Sequence, residues 1–264
     1  MNFRRLVLAI AIFFGLSGGL CVAQEITVAA AADLQFAFND LAARFEKDTG
    51  KHVKLIFGSS GNFFAQIQNG APFDLFFSAD IDYPKRLEAA GLAEPGTLYP
   101  YATGKIVLWV LKESKLDLSR GLQVLLDPGI RKIAIANPEH APYGRAAVAA
   151  LRHEKIYEQV AAKLVLGENI SQAASFVVSG SADAGIVALS FALAPSMKEK
   201  GKYVDISVED YPAIEQAAVV LKSSQNKEIA RQFLTFLKTP GVQELLRGYG
   251  FSVPKASAAD ASGK

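Results

Sequence analysis

The sequence predicts an α/β protein of two lobes with a cleft between them. Three observations point there. β-prone runs alternate with helical periods through residues 25–87, and the alternation starts again after residue 132. Two longer β-prone runs, 104–111 (GKIVLWVL) and 214–221 (IEQAAVVL), stand where the chain would cross between lobes. Alternation of this kind argues for right-handed βαβ units in parallel-rich sheets. The expected division is a first lobe over 24–104, a second over 105–213, and a return to the first over 214–253.

Residues 1–23 read as a signal peptide. Arg4 and Arg5 precede an apolar run from Leu6 to Leu16, and Cys21-Val22-Ala23 offers small residues at a cleavage site. Cleavage is expected after Ala23. Lipid attachment at Cys21 would want a small residue before it, and Leu20 is not small. The chain has 28 Lys+Arg and 26 Asp+Glu, and removing Arg4 and Arg5 leaves 26 against 26. That balance gives no footprint for nucleic acid or a membrane surface. Without cysteine the exported chain must rely on its cores. His52, His140 and His153 show no metal-ligand spacing and read as solvated or helix-end residues, so no metal site is expected.

The elements follow in order. Residues 25–31 (EITVAAA) are a strand, and Leu34, Ala37, Phe38, Leu41, Ala42 and Phe45 keep a helical period, with Asp33 at the cap position. HVKLIF over 52–57 is a strand, Gly58-Ser59-Ser60-Gly61 a turn, and Phe63, Phe64 and Ile67 mark a short helix facing the core. Residues 74–78 form a buried strand before a helix through Leu87. KIAIA over 132–136 is a strand, and a helix opens at Pro142, where a missing N–H costs nothing. A helix over 156–164 and another capped by Asn169 come next, then strands at 184–189 and 204–206. Two helices close the fold, and 254–264 reads as a disordered tail.

In open parallel sheets, ligands sit where strands end and helices begin. Four helix starts follow strands or loops here, at Asp33, Ser60-Gly61, Pro142-Tyr143-Gly144 and Asn169-Ile170. Each presents unpaired N–H groups and a partial positive charge. Two from each lobe could hold a small anion without Lys or Arg.

The segments ITVAAAADL, FGSSGNFFAQIQNGAPFDLFFSAD, IANPEHAPYGRAA, GENISQA, GIVALS and LRGYGFSVP resemble, in order, the periplasmic molybdate-binding components of ABC importers. The resemblance spans nearly all of the chain after residue 23. It implies a type II periplasmic-binding-protein fold, a periplasmic location, no enzymatic activity and no cofactor. It implies molybdate or tungstate as ligand, an inner-membrane ABC permease as partner, and a monomer. Molybdenum would be part of the bound anion, not a metal held by protein ligands. Carried over segment by segment, the ligand positions fall at Asp33, Ser60, Tyr143, Ile170 and Ala188. Many relatives have Ser at Asp33, and one branch has a Tyr hydroxyl at Ala188; Tyr143 is the relocated phenol of the other branch.

An ionised carboxylate facing a dianion is repelled by about 4 kcal/mol per unit-charge pair at about 4 Å. Asp33 is therefore expected to cap its own helix and offer the ligand only its backbone N–H. As an ionised cap it would resist protonation, leaving affinity flat at low pH. Ser60 has three readings: turn residue, anion ligand, or nucleophile of an exported hydrolase, although G-S-S-G departs from G-x-S-x-G. Sulfate is the alternative ligand within the same class. The charged stretches 198–200 and 222–228 read as solvated surface.

Overall fold

The computed structural model describes residues 25–254. The expected signal peptide, and the expected tail beyond Pro254, lie outside them. The described strands are β1 (Glu25–Ala31), β2 (His52–Gly58), β3 (Leu75–Ser78), β4 (Tyr99–Gly104), β5 (Ile106–Leu111), β6 (Ile133–Ala136), β7 (Leu164–Gly167), β8 (Ala184–Ala188), β9 (Gly201–Asp205) and β10 (Ile214–Val220). They form two five-stranded sheets, ordered β2-β1-β3-β10-β4 and β7-β6-β8-β5-β9.

Both sheets are mixed, and by the same rule. β1 runs parallel to β2 and β3, while β10 runs against β3 and β4. In the second sheet β6 runs parallel to β7 and β8, while β5 runs against β8 and β9. The reversed strand in each sheet is the one that arrives from the other sheet. It starts at the cleft, where the parallel strands end. The run 104–111 accordingly breaks at Lys105, with β4 on one side of the crossover and β5 on the other.

Two strands differ from expectation. β4 carries Pro100, which an edge strand tolerates but which masks it in sequence. β7 is a four-residue edge strand, too short to show a period of two, and it occupies the end of the expected helix 156–164. That helix is only Tyr157–Val160, followed by a 3₁₀ turn at Ala161–Lys163.

β1 shows how the first lobe is packed. Ile26, Val28 and Ala30 face one core with Phe38, Phe45, Phe77 and Phe233, while Ala29 faces another with Phe63, Phe64, Phe76 and Leu87. Burial on both faces explains the continuous apolar run. Phe233, from the helix Lys227–Phe236, stands edge-on 5.1 Å from Phe45 and 6.1 Å from Phe77. The returning chain therefore completes the core that the first strands began. Phe233→Ala should cost about 3–5 kcal/mol of unfolding free energy, the range for emptying a buried aromatic site. Urea denaturation checks this, and a loss under 1 kcal/mol would mean the closing helices are docked only loosely.

Candidate functional site

The C-terminal ends of β1 and β2 and the loops after β6 and β7 converge on one small cavity. Asp33, Ser60, Tyr143 and Ile170 all line it, and among the described residues no Lys, Arg or His does. Ser60 opens the helix Ser60–Gln68, Tyr143 lies in the first turn of Pro142–His153, and Ile170 opens Ile170–Val178. Their amides belong to the first turn, which a helix cannot bond internally. Asn169 Oδ1 accepts from Ser171 N (3.0 Å) and Gln172 N (3.1 Å), which confirms the expected cap and fixes the backbone beside Ile170. Ser60 Oγ accepts from Ala79 N at 2.9 Å, which leaves the hydroxyl its own proton to donate.

The cleft is closed. Gly61 N donates to His140 O at 2.9 Å across it, and a Cβ on Gly61 would sit 2.7 Å from that carbonyl oxygen. His140 Nδ1 pairs with Ser59 Oγ at 2.9 Å, Ser171 Oγ donates to Gln35 Oε1 at 2.8 Å, and Arg145 is ion-paired with Asp80. A larger, open pocket continues along the same cleft between Asp80, Lys85, Arg145 and Glu215. Its charges of both signs suit water, and the small cavity lined by helix starts is the better place for a desolvated anion. A hydrolytic centre is not assembled: the histidine nearby, His140, bonds Ser59 and not Ser60.

Asp33 does not cap its helix, which corrects the sequence expectation. It lies in a 3₁₀ turn, Ala32–Leu34, and the helix Gln35–Thr49 has Leu34 at its N-cap with no side-chain cap bond. The carboxyl points instead into a buried network. Tyr143 Oη donates to Oδ2 at 2.8 Å, and Gln216 Nε2 donates to Oδ2 at 2.7 Å. Tyr101 Oη in turn donates to Gln216 Oε1 at 2.7 Å. Burial pushes the Asp33 carboxyl up to about 6, against the pull of the bonds from Gln216 and Tyr143. Desolvation and the neighbouring Asp33 raise the phenols of Tyr143 and Tyr101 well above their ordinary value.

Two further expectations change with this network. The Tyr143 phenol gives its proton to Asp33, so what it offers the cavity is its backbone. Ala188 does not line the cavity: it ends β8, paired with Ile106 and fully buried in the second core. The residue of that segment that reaches the site is Ser190, whose Oγ donates to the Asp33 carbonyl at 2.7 Å.

A family model described as bacterial extracellular solute-binding protein matches residues 26–252. The chain belongs to the bacterial extracellular solute-binding proteins. This solute-binding protein is 38% identical to the molybdate-binding protein ModA of Azotobacter vinelandii, over 96% of its own length and all of that protein. It is 39% identical to ModA of Rhodobacter capsulatus, over 87% of this chain and 88% of the relative. The solved structure of the A. vinelandii periplasmic molybdate-binding protein superposes with a TM-score of 0.82 at 37% identity, covering 87% of this chain and all of that one.

Sequence reasoning missed Gln216, Tyr101 and Ser190. Gln216 lies in an apolar β run, IEQAAVV, and is completely buried; a lone amide in such a run was the available signal. Away from the cleft, the solute-binding protein also brings ligand atoms of His153, Glu154 and Asp210 within 4.8 Å of one another, a grouping that no sequence spacing announces.

The Asp33 carboxyl predicts a pH dependence of stability. Its folded value of about 6 lies above the ordinary carboxyl value of 3.8 that the unfolded chain keeps, so the native state holds more protons between those limits. Stability from this group is full below 3.8 and is lost as pH rises through about 6. The folded-state rise corresponds to on the order of 3 kcal/mol. Asp33→Asn should therefore gain on wild type by up to ~3 kcal/mol between pH 4 and pH 7.5 in urea melts. A constant difference across that range would place the carboxyl in contact with water.

Proposed function

We propose that this solute-binding protein captures a tetrahedral oxyanion, molybdate or tungstate, in the closed cleft and delivers it to an inner-membrane ABC permease. It would do so in the periplasm, after removal of residues 1–23. The observation that carries this reading is the small cavity, without a cationic side chain among the described residues, at which helix starts from both lobes converge. A desolvated dianion needs donors on several sides, and backbone N–H groups with helix dipoles supply them without mobile cationic side chains. The names of the relatives that match over most of their length support molybdate in particular.

The mechanism is differential binding. With the lobes apart, donors from only one side can reach the ion. With them together, the amides near Asp33 and Ser60 meet those of Tyr143 and Ile170 around it. Closure is then favoured by the interactions that only the closed state makes. The two crossovers, between β4 and β5 and between β9 and β10, are the segments about which the lobes would turn.

Calorimetric titration with molybdate, tungstate, sulfate and phosphate in parallel tests the assignment. Molybdate and tungstate should bind tightly and sulfate weakly or not at all; a preference for sulfate would move the ligand within the oxyanion class. Ser60→Ala should cost about 1.5–3 kcal/mol of molybdate binding, the range for a hydrogen bond to a charged group. Unchanged binding by that variant would return Ser60 to the status of a turn residue.

Salt provides an independent check. Among the described residues no cationic side chain lines the cavity, so moving from low to moderate ionic strength should leave affinity nearly constant. A fall of several decades would reveal a Lys or Arg holding the ion.

A further inference from the structure

We propose that Asp33 is a neutral carboxylic acid in the anion-loaded state and donates a hydrogen bond from Oδ1 to the oxyanion, so that each capture takes up one proton from solvent. This rests on the oxyanion reading above and adds to it a specificity-determining donor. Sequence reasoning assigned that donor to the backbone alone.

The inequality of the two carboxyl oxygens carries the argument. Oδ2 receives both the Tyr143 phenol at 2.8 Å and the Gln216 amide at 2.7 Å. Oδ1 is buried with no hydrogen-bond partner among the described residues, in a residue only 1% exposed. An ionised carboxylate spreads its charge over both oxygens, and leaving one bare in a buried site is expensive. A carboxylic acid fits the surroundings as they stand. Its carbonyl oxygen accepts two bonds, and its hydroxyl keeps a proton to give. Asp33 lines the cavity, so an oxyanion held there is the acceptor within reach.

Among the described residues no cation opposes protonation. The titratable groups facing the carboxyl are the phenols of Tyr143, on the helix Pro142–His153, and Tyr101, on β4. Gln216 on β10 and Ser190, bonded to the Asp33 carbonyl, are neutral. Burial, opposed by the bonds from Gln216, Tyr143 and its own backbone, already holds the carboxyl up at about 6, and a dianion in the cavity would lift it further by like-charge repulsion. The proton also sorts ligands by class. A fully ionised oxyanion accepts it from Oδ1, whereas hydrogen phosphate brings its own proton and can donate to an ionised Asp33 with no uptake.

Titration of molybdate into the full chain lacking residues 1–23, in two buffers of different ionisation enthalpy, counts the protons. Near pH 8, wild type should take up about one proton per molybdate, and affinity should rise about tenfold for each pH unit lowered toward 6. Asp33→Asn, which places an N–H donor in the same position, should take up none and bind with little pH dependence. Wild type that binds molybdate without proton uptake and with pH-independent affinity overturns the inference and leaves the oxyanion reading intact. Failure of molybdate, tungstate and sulfate alike to bind wild type overturns both. The wild-type proton count is decisive by itself if the variant does not fold.

Discussion

A carboxyl group buried where the two lobes meet is the constraint around which the cleft is arranged. Asp33 comes from the turn after β1, Gln216 from β10 and Tyr101 from β4, all on the first-sheet side. Tyr143 and Ser190 reach it from the second. A buried carboxyl must be hydrogen-bonded or neutral, and here the bonds come from both sides. The network therefore exists in full only when the lobes are together. It also dictates nearby sequence. A Cβ at residue 104 would lie 2.0 Å from Tyr143 Oη and 2.7 Å from Gln216 Nε2, so the end of β4 has room for Gly alone.

Neutral donors and a titratable acid make a different kind of anion site from a cluster of cations. A Lys or Arg in the cleft would attract any anion at long range and would cost desolvation on closure. First-turn amides act only at contact distance, and their geometry is fixed by the helices that carry them. Among the charges of the cleft, Arg145 is tied to Asp80 across it, and Glu168 holds Asn62 and lies 3.8 Å from His140. They clasp the rim and leave the cavity itself uncharged apart from Asp33.

Much of this was legible in the sequence because the signals were local. The strand ends at Ala31 and Ala136, the Pro142 helix start and the Asn169 cap all follow from residues within a few positions of one another. Ser60, Tyr143 and Ile170 were found through those starts, and the structure brings them to one cavity. What failed to show was long-range. Asp33 has the residue type and position of a cap, and only its distant partners Tyr143 and Gln216 turn it inward. Ala188 was placed by matching one segment to relatives, but the side chain that arrives from that segment is two residues further on. β7 was lost because a four-residue strand has no period to read.

The backbone contact between Gly61 and His140 acts as a mechanical stop. A 2.9 Å hydrogen bond between main-chain atoms leaves no side chain to compress or swing aside, so the jaws halt at a fixed gap. The gauge of the chamber is thus cut in main chain rather than in adaptable side chains. A guest too wide holds the jaws apart and forfeits the closing contacts. One too small rattles, since the lobes cannot follow it inward. Discrimination among ions of one shape and charge then becomes a matter of calibre, set by two residues that need never touch the ion.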